Sequence, residues 1–249
     1  GAHSLNVSTA VAIVVAGAGV PVAKHGNRAA SSKAGAADTL EALGLDLDRA
    51  SERAEASLNE IGLCFLFAQK HHPALKPLGP IRKRIGRRTI FNLLGPICNP
   101  AGVTRQLIGV ARPDYLPVYA GALERIGCDA AMMVSGDEPL DELSIGGPSS
   151  ISRLGEVGFG PERFEPADAG LPRHPLEAIR GGDATYNAAA LARLLAGEQG
   201  AYRDAVLLNA AAALIVAGRA EGWTDGVALA AEAIDSGAAR QLLTRWIAF

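Results

Sequence analysis

The sequence has 249 residues, enough for one large domain or two small ones with a substantial buried core. Hydrophobic residues make up 49% and charged residues 20%, a globular composition that excludes a disordered chain. A formal net charge of −2 supplies no general pull toward nucleic acid or anionic membranes, so any anion site has to be built locally from a few cations and backbone N–H groups.

In chain order, Ser8-Thr9 reads as the cap of a helix through the Ala/Val-rich run that follows, ended by Gly17 and Gly19. Val20-Pro21-Val22-Ala23 reads as a short buried strand. The whole apolar run from Ala10 to Ala23 is too short and too Gly/Pro-broken to span a bilayer. A polar loop from Lys24 to Gly35 leads to a helix over Ala36–Leu43, stopped at Gly44. Asp48 is expected to cap a helix through Asn59, and a second helical run is expected from Ile61 to about Gln69, ending in His71-His72-Pro73. Arg105–Ala111 and Ala130–Val134 read as strands around a helix over Asp114–Ile126. Residues 151–172 are Gly/Pro-rich with short strand-like pieces, and the last third is helical, Ala-rich and suited to close helix packing. The pattern predicts an α/β fold with a mainly parallel central sheet flanked by helices. Cys64, Cys98 and Cys128 have no paired or metal-like spacing, which fits a reducing cytoplasm.

Four segments carry chemistry-bearing residues. Asn6-Val7-Ser8-Thr9 lies at a helix start, where free N–H groups and the helix dipole suit an anion, although N-capping alone explains it as well. The loop Lys24-His25-Gly26-Asn27-Arg28-Ala29-Ala30-Ser31-Ser32-Lys33-Ala34-Gly35 follows a strand and precedes a helix. Its three cations, two hydroxyls and backbone amides suit a pyrophosphate; the alternative is a solvated charged loop. The acidic loop Asp137-Glu138-Pro139-Leu140-Asp141-Glu142 follows a strand and should lie at the same carboxyl edge, where adjacent carboxylates can hold Mg²⁺ against phosphate oxygens. The run Arg82-Lys83-Arg84-Ile85-Gly86-Arg87-Arg88 offers a carboxylate-binding arginine or a solvent-facing basic helix. Few aromatics accompany it, which argues against nucleic acid.

Together with His71-His72-Pro73-Ala74, Arg88 to Pro96, Asn99-Pro100-Ala101, Leu140 to Ser144 and Asn209-Ala210-Ala211-Ala212, these segments resemble the anthranilate phosphoribosyltransferases of tryptophan biosynthesis, in the family's order and over essentially the whole chain. The resemblance implies a cytoplasmic enzyme that transfers a phosphoribosyl group from 5-phosphoribosyl 1-pyrophosphate (PRPP) to the amine of anthranilate, releasing pyrophosphate with Mg²⁺. It implies PRPP contacts from Ser4, Asn6, Val7, Ser8, Thr9, Lys24, His25, Gly26, Asn27, Arg28, Ala29, Ala30, Ser31, Ser32 and Ala36. Anthranilate falls to Asn27, Arg82, Gly95 and Pro96, and metal to Ser8, Asp141 and Glu142, with Asp137 and Glu138 outside the acidic pair. His25 is a candidate for proton removal or for substrate positioning alone.

The resemblance also implies a homodimer and a small helical domain against which residues 76–98 would pack. The family's Gly-Thr-Gly-Gly-Asp loop would directly precede Gly1, and Ala36 stands where many members carry serine. A pyrimidine nucleoside phosphorylase is the nearest enzymatic rival, but it would have no use for the Asp141-Glu142 pair.

Overall fold

The apolar run after Asn6 folds as α1 (Val7–Gly17), whose residues are almost all buried. The computed structural model describes every residue except 1–3, 30–32, 87–88, 139 and 159; the side chains at 76, 79, 82, 83, 92, 160 and 161 also lie outside it. After α1 come β1 (Val22–Gly26), α2 (Ala36–Ala42), α3 (Leu47–Glu52), α4 (Ala54–Ile61), β2 (Leu63–Phe67), α5 (Ala68–His71), α6 (Gly79–Ile85) and α7 (Phe91–Leu94). The chain continues through β3 (Arg105–Gly109), α8 (Leu116–Arg125), β4 (Ala130–Gly136), β5 (Ser149–Gly155) and β6 (Gly160–Phe164). It ends in the helices α9 (Ala184–Leu195), α10 (Ala201–Val216), α11 (Trp223–Asp235) and α12 (Ala238–Ala248).

The α/β class is as expected, with the parallel pairing narrower than predicted. Strands β1 and β2 pair in parallel as one sheet, with Lys24 opposite Phe65. In a second sheet of order β3-β4-β5-β6, only β3 and β4 are parallel; β5 and β6 are added antiparallel. One hydrophobic cluster nonetheless joins both sheets to α1, α10 and α12, with Phe65, Met132, Ile13 and Leu208 among its members. A smaller cluster seats α8 on the other face of β3 and β4 through Ile108, Leu123, Ala131 and Met133.

Four local expectations are corrected. The strand expected over Val20–Ala23 runs instead over Val22–Gly26, because Lys24, His25 and Gly26, expected in the loop, pair with Phe65, Leu66 and Phe67. Ile61 to Gln69 is mostly strand: Gly62, at φ +84°, closes α4, and the five-residue apolar run behind it pairs with β1 as a wholly buried strand. Periodicity cannot separate such a short run from a buried helix. The helix placed from Asp48 to Asn59 is two helices meeting at Arg53, and Asp46, not Asp48, caps the first by accepting from the N–H groups of Asp48 and Arg49. Helix α1 begins at Val7, with Asn6 in the capping position but making no side-chain cap bond, so Ser8 and Thr9 lie inside the first turn.

The Ala-rich helices do cross closely. A Cβ on Gly226 would sit 2.8 Å from the Ala211 Cα, and one on Gly17 would sit 2.7 Å from the Ala239 Cα. The α10·α11 and α1·α12 crossings therefore require glycine. No described helix is long and apolar enough to cross a membrane.

Candidate functional site

Three of the four predicted segments converge at the carboxyl ends of the parallel strands, where open α/β sheets leave room for ligands. Lys24 is the central residue of β1, and the acidic loop leaves the end of β4. The backbone N–H of Ser8, in the first turn of α1, donates to the Glu142 carboxylate. Lys24 lies within electrostatic reach of both Asp141 and Glu142.

The charges in this cluster are poorly solvated. Burial, reinforced by Asp141, pushes the Glu142 carboxyl up to about 8, against the opposing pull of the Ser8 N–H and Lys24. Burial lowers the Lys24 ammonium, which the two carboxylates partly restore. The Tyr202 phenol, whose hydroxyl donates to the Asn6 carbonyl at 3.3 Å, is raised by burial and then by Glu142.

Two buried oxygens here, Glu142 Oε2 and the Thr9 hydroxyl, have no hydrogen-bond partner. Such atoms are costly to leave bare and call for an explanation. An exposed Asp141 beside Glu142, whose spare oxygen is buried, is a hard-oxygen donor set. Among the described residues no cluster of three His, Cys, Asp or Glu forms an all-protein cage. That combination fits Mg²⁺, which keeps waters and phosphate oxygens as its other ligands.

The acidic loop is held from below. Asn209, buried on α10, accepts from the Leu143 N–H at 2.9 Å and donates to the Leu143 carbonyl at 3.1 Å, gripping the residue after Glu142. Gly109, the last residue of β3, passes so close that a Cβ would run into the Asp141 carbonyl. The Ser149 hydroxyl accepts the Ser144 N–H at 2.9 Å.

The Lys24 loop divides into two parts. His25 Nδ1 is 3.2 Å from the Gly95 carbonyl, and its Nε2 is 3.1 Å from His72 Nε2. Because a carbonyl only accepts, His25 carries its proton on Nδ1 and receives the His72 N–H at Nε2. Burial lowers the His25 pKa, with Lys24 and the neighbouring histidines adding to it against the Gly95 bond. Asn27 Oδ1 accepts from the Arg28 N–H at 2.8 Å and from Gln69 at 3.3 Å. Arg28 is engaged sideways, paired with Asp38 at 2.9 Å and with Glu41, over the Phe67 ring. Asp38 also accepts the Ala29 and Gly35 N–H groups at 3.0 and 2.8 Å, cinching the loop at its base.

Other predicted residues are placed as follows. Ser4 bridges to Arg180, Val7 is core and presents only its backbone, and Gly26 packs so tightly on Phe65 that a Cβ would clash. Ala36 opens α2, while Gly95 and Pro96 form a 3₁₀ turn. Arg82 lies on α6, but its side chain, like residues Ala30, Ser31 and Ser32, is outside the described residues. Asp137 pairs with Arg163 at 2.6 Å, apart from the acidic pair.

Comparison with known proteins identifies the family. Residues 1–240 match the family model described as a glycosyl transferase family α/β domain. The anthranilate phosphoribosyltransferases of Sphingopyxis alaskensis and Novosphingobium aromaticivorans are 64% and 62% identical over 249 and 248 residues, covering all of this chain and 75% of each relative. The chain belongs to the anthranilate phosphoribosyltransferase family. The Thermus thermophilus member superposes with a TM-score of 0.93 at 46% identity, over 98% of this chain and 73% of that one. The Saccharomyces cerevisiae member, solved in complex with PRPP and Mg, gives 0.90 at 30% identity, over 99% of this chain and 69% of that one.

For this phosphoribosyltransferase fold, sequence reasoning missed Asn209 as a clamp and Tyr202 as a neighbour of Glu142. A lone amide in a buried Ala-rich helix was the available signal, since a polar group there must find partners.

Proposed function

We propose that this chain binds PRPP, with Mg²⁺, in the cleft between the start of α1, the Lys24 loop and the Asp141-Glu142 loop, and transfers its phosphoribosyl group to anthranilate. The observation that carries the reading is the meeting of the Ser8 N–H, Lys24, Asp141 and Glu142 at one place. The first turn of α1 and the Lys24 ammonium bind the pyrophosphate, and Asp141, Glu142 and Ser8 hold the metal. When bound, Mg²⁺ offsets the negative charge of the pyrophosphate as it departs.

The ribose C1–oxygen bond breaks, the anthranilate nitrogen bonds to C1, and one amine proton is lost. Donors already fixed on the leaving group stabilise its developing charge without reorganisation at the moment of reaction. Asn27, the Gly95-Pro96 turn and Arg82 border the aromatic acid. His25, its proton on Nδ1 toward the Gly95 carbonyl and its Nε2 occupied by the His72 N–H, orients this end of the site, and the amine proton passes to solvent.

Residues 76–98 serve as the packing face for a small helical domain; Ile81, Ile85 and Ile90, exposed by 43%, 50% and 65%, support that role. The reading extends to a cytoplasmic homodimer.

The test is loss of anthranilate fluorescence on adding PRPP and Mg²⁺, run on this chain and on the chain joined to the N-terminal segment of a relative. Turnover that needs Mg²⁺ is expected from the joined protein; no turnover from either would overturn the assignment. Arg82→Ala should raise the anthranilate KM more than the PRPP KM.

A further inference from the structure

Asn6 lies at the mouth of the proposed pyrophosphate site, yet its side-chain oxygen is committed elsewhere. Its Oδ1 accepts from the Thr39 hydroxyl at 2.5 Å and from Asn187 Nδ2 at 2.8 Å. Thr39 is fully buried on α2, and Asn187 is 2% exposed on α9. The orientation of Asn187 is itself fixed: its Oδ1 accepts the backbone N–H of Gly182 at 2.8 Å, and a backbone N–H can only donate. Asn187 must therefore turn its NH₂ group to Asn6, and Asn6 must answer with its oxygen. The Asn6 NH₂, on the other branch of the amide, is left outside this buried group.

We infer that Asn187, assisted by Thr39, is a positioning residue that locks the Asn6 amide so that it presents its NH₂ donor, and never its carbonyl, to the pyrophosphate of PRPP. The inference rests on the PRPP reading of this site. An amide free to turn over would meet the anion with its oxygen part of the time, and that orientation repels. Three helices share the device: Asn6 stands at the cap of α1, α2 carries Thr39 and α9 carries Asn187, so donor orientation depends on their packing.

The decisive variant is Asn187→Asp. It keeps an oxygen for the Gly182 N–H but places a second oxygen against Asn6, which forces the Asn6 amide to turn its NH₂ inward. PRPP affinity is measured by titration calorimetry with Mg²⁺, alongside KM for both substrates and the thermal midpoint. A donor lost to a charged group is expected to weaken PRPP binding about tenfold or more, with the anthranilate KM unchanged.

Thr39→Val, which removes one hydroxyl donor at nearly constant volume, should produce a smaller rise in the same direction, and it serves if Asn187→Asp fails to fold. In an Asn6→Ala background neither change should weaken PRPP binding further. If the parent protein binds no PRPP with Mg²⁺, the functional reading falls and this inference with it. If the parent binds PRPP and both variants match it, or weaken it equally in the Asn6→Ala background, the inference alone is overturned.

Discussion

Asn209→Ala removes the clamp beneath the acidic loop, and its cost can be worked from the contacts. Asn209 serves both backbone groups of Leu143, a residue only 1% exposed, so truncation strands a buried N–H and a buried carbonyl. Each stranded group costs about 1–3 kcal/mol. The third bond of Asn209, to the Ala205 carbonyl at 2.9 Å, matters less because that carbonyl keeps its helical partner. Allowing for a water entering the void, the loss is about 3 kcal/mol, a fall in Tm of roughly 6–12 °C for a domain of this size. The same loosening frees Glu142, so Mn²⁺ titration in the presence of PRPP should show weaker metal binding. Circular dichroism melting and paramagnetic titration check the two effects. A Tm within about 2 °C of the parent, with unaltered Mn²⁺ binding, would refute the clamp.

Gly109→Ala drives a Cβ into the Asp141 carbonyl; a destabilisation of about 1–3 kcal/mol and a displaced acidic loop are expected, and a parent-like Mn²⁺ titration would count against the contact. Burial alone would raise the Asp38 carboxyl, but the Ala29 and Gly35 N–H groups and Arg28 hold it below its ordinary value. Its stabilisation of the Lys24 loop is therefore present above about pH 4 and lost as the pH falls through the lowered folded value. Asp38→Asn should flatten the acid limb of the stability–pH curve, and an unchanged slope would remove Asp38 from that role. Among the cysteines, exposed Cys98 should react with a thiol reagent in the native protein, whereas buried Cys64, its thiol pushed up to about 11, should react only on unfolding. Equal native rates for the two would contradict the placement of β2.

The pieces of the site were legible because they are short contiguous signals at element boundaries. Asn6 to Thr9, the Lys24 loop and Asp141-Glu142 each stand where an apolar run starts or stops, and helix starts and strand ends are where backbone groups are free to meet a ligand. What holds these pieces was hidden because the partners are far apart in sequence. Asn187 reaches Asn6 across 181 residues, and Asn209 reaches Leu143 across 66. No local period records such bonds. The misread strand Leu63–Phe67 has the same origin: its identity depends on pairing with β1, not on its own five residues.

Charge explains why these pieces have to be assembled together. A chain of net charge −2 places Asp141 and Glu142 in the very cleft proposed to take an anion. Burial comes first in raising the Glu142 carboxyl to about 8 and in lowering the Lys24 ammonium. On the proposed reading, a polyanion entering such a site meets the Asp141 carboxylate, and Glu142 once it ionises, unless a cation enters with it. The fixed donors of α1 and the Asp141-Glu142 pair thus act as two halves of one requirement. On the proposed reading, the donors select the anion and the carboxylates tie its binding to a divalent ion, as the hard-oxygen set with its bare Glu142 oxygen would do for Mg²⁺.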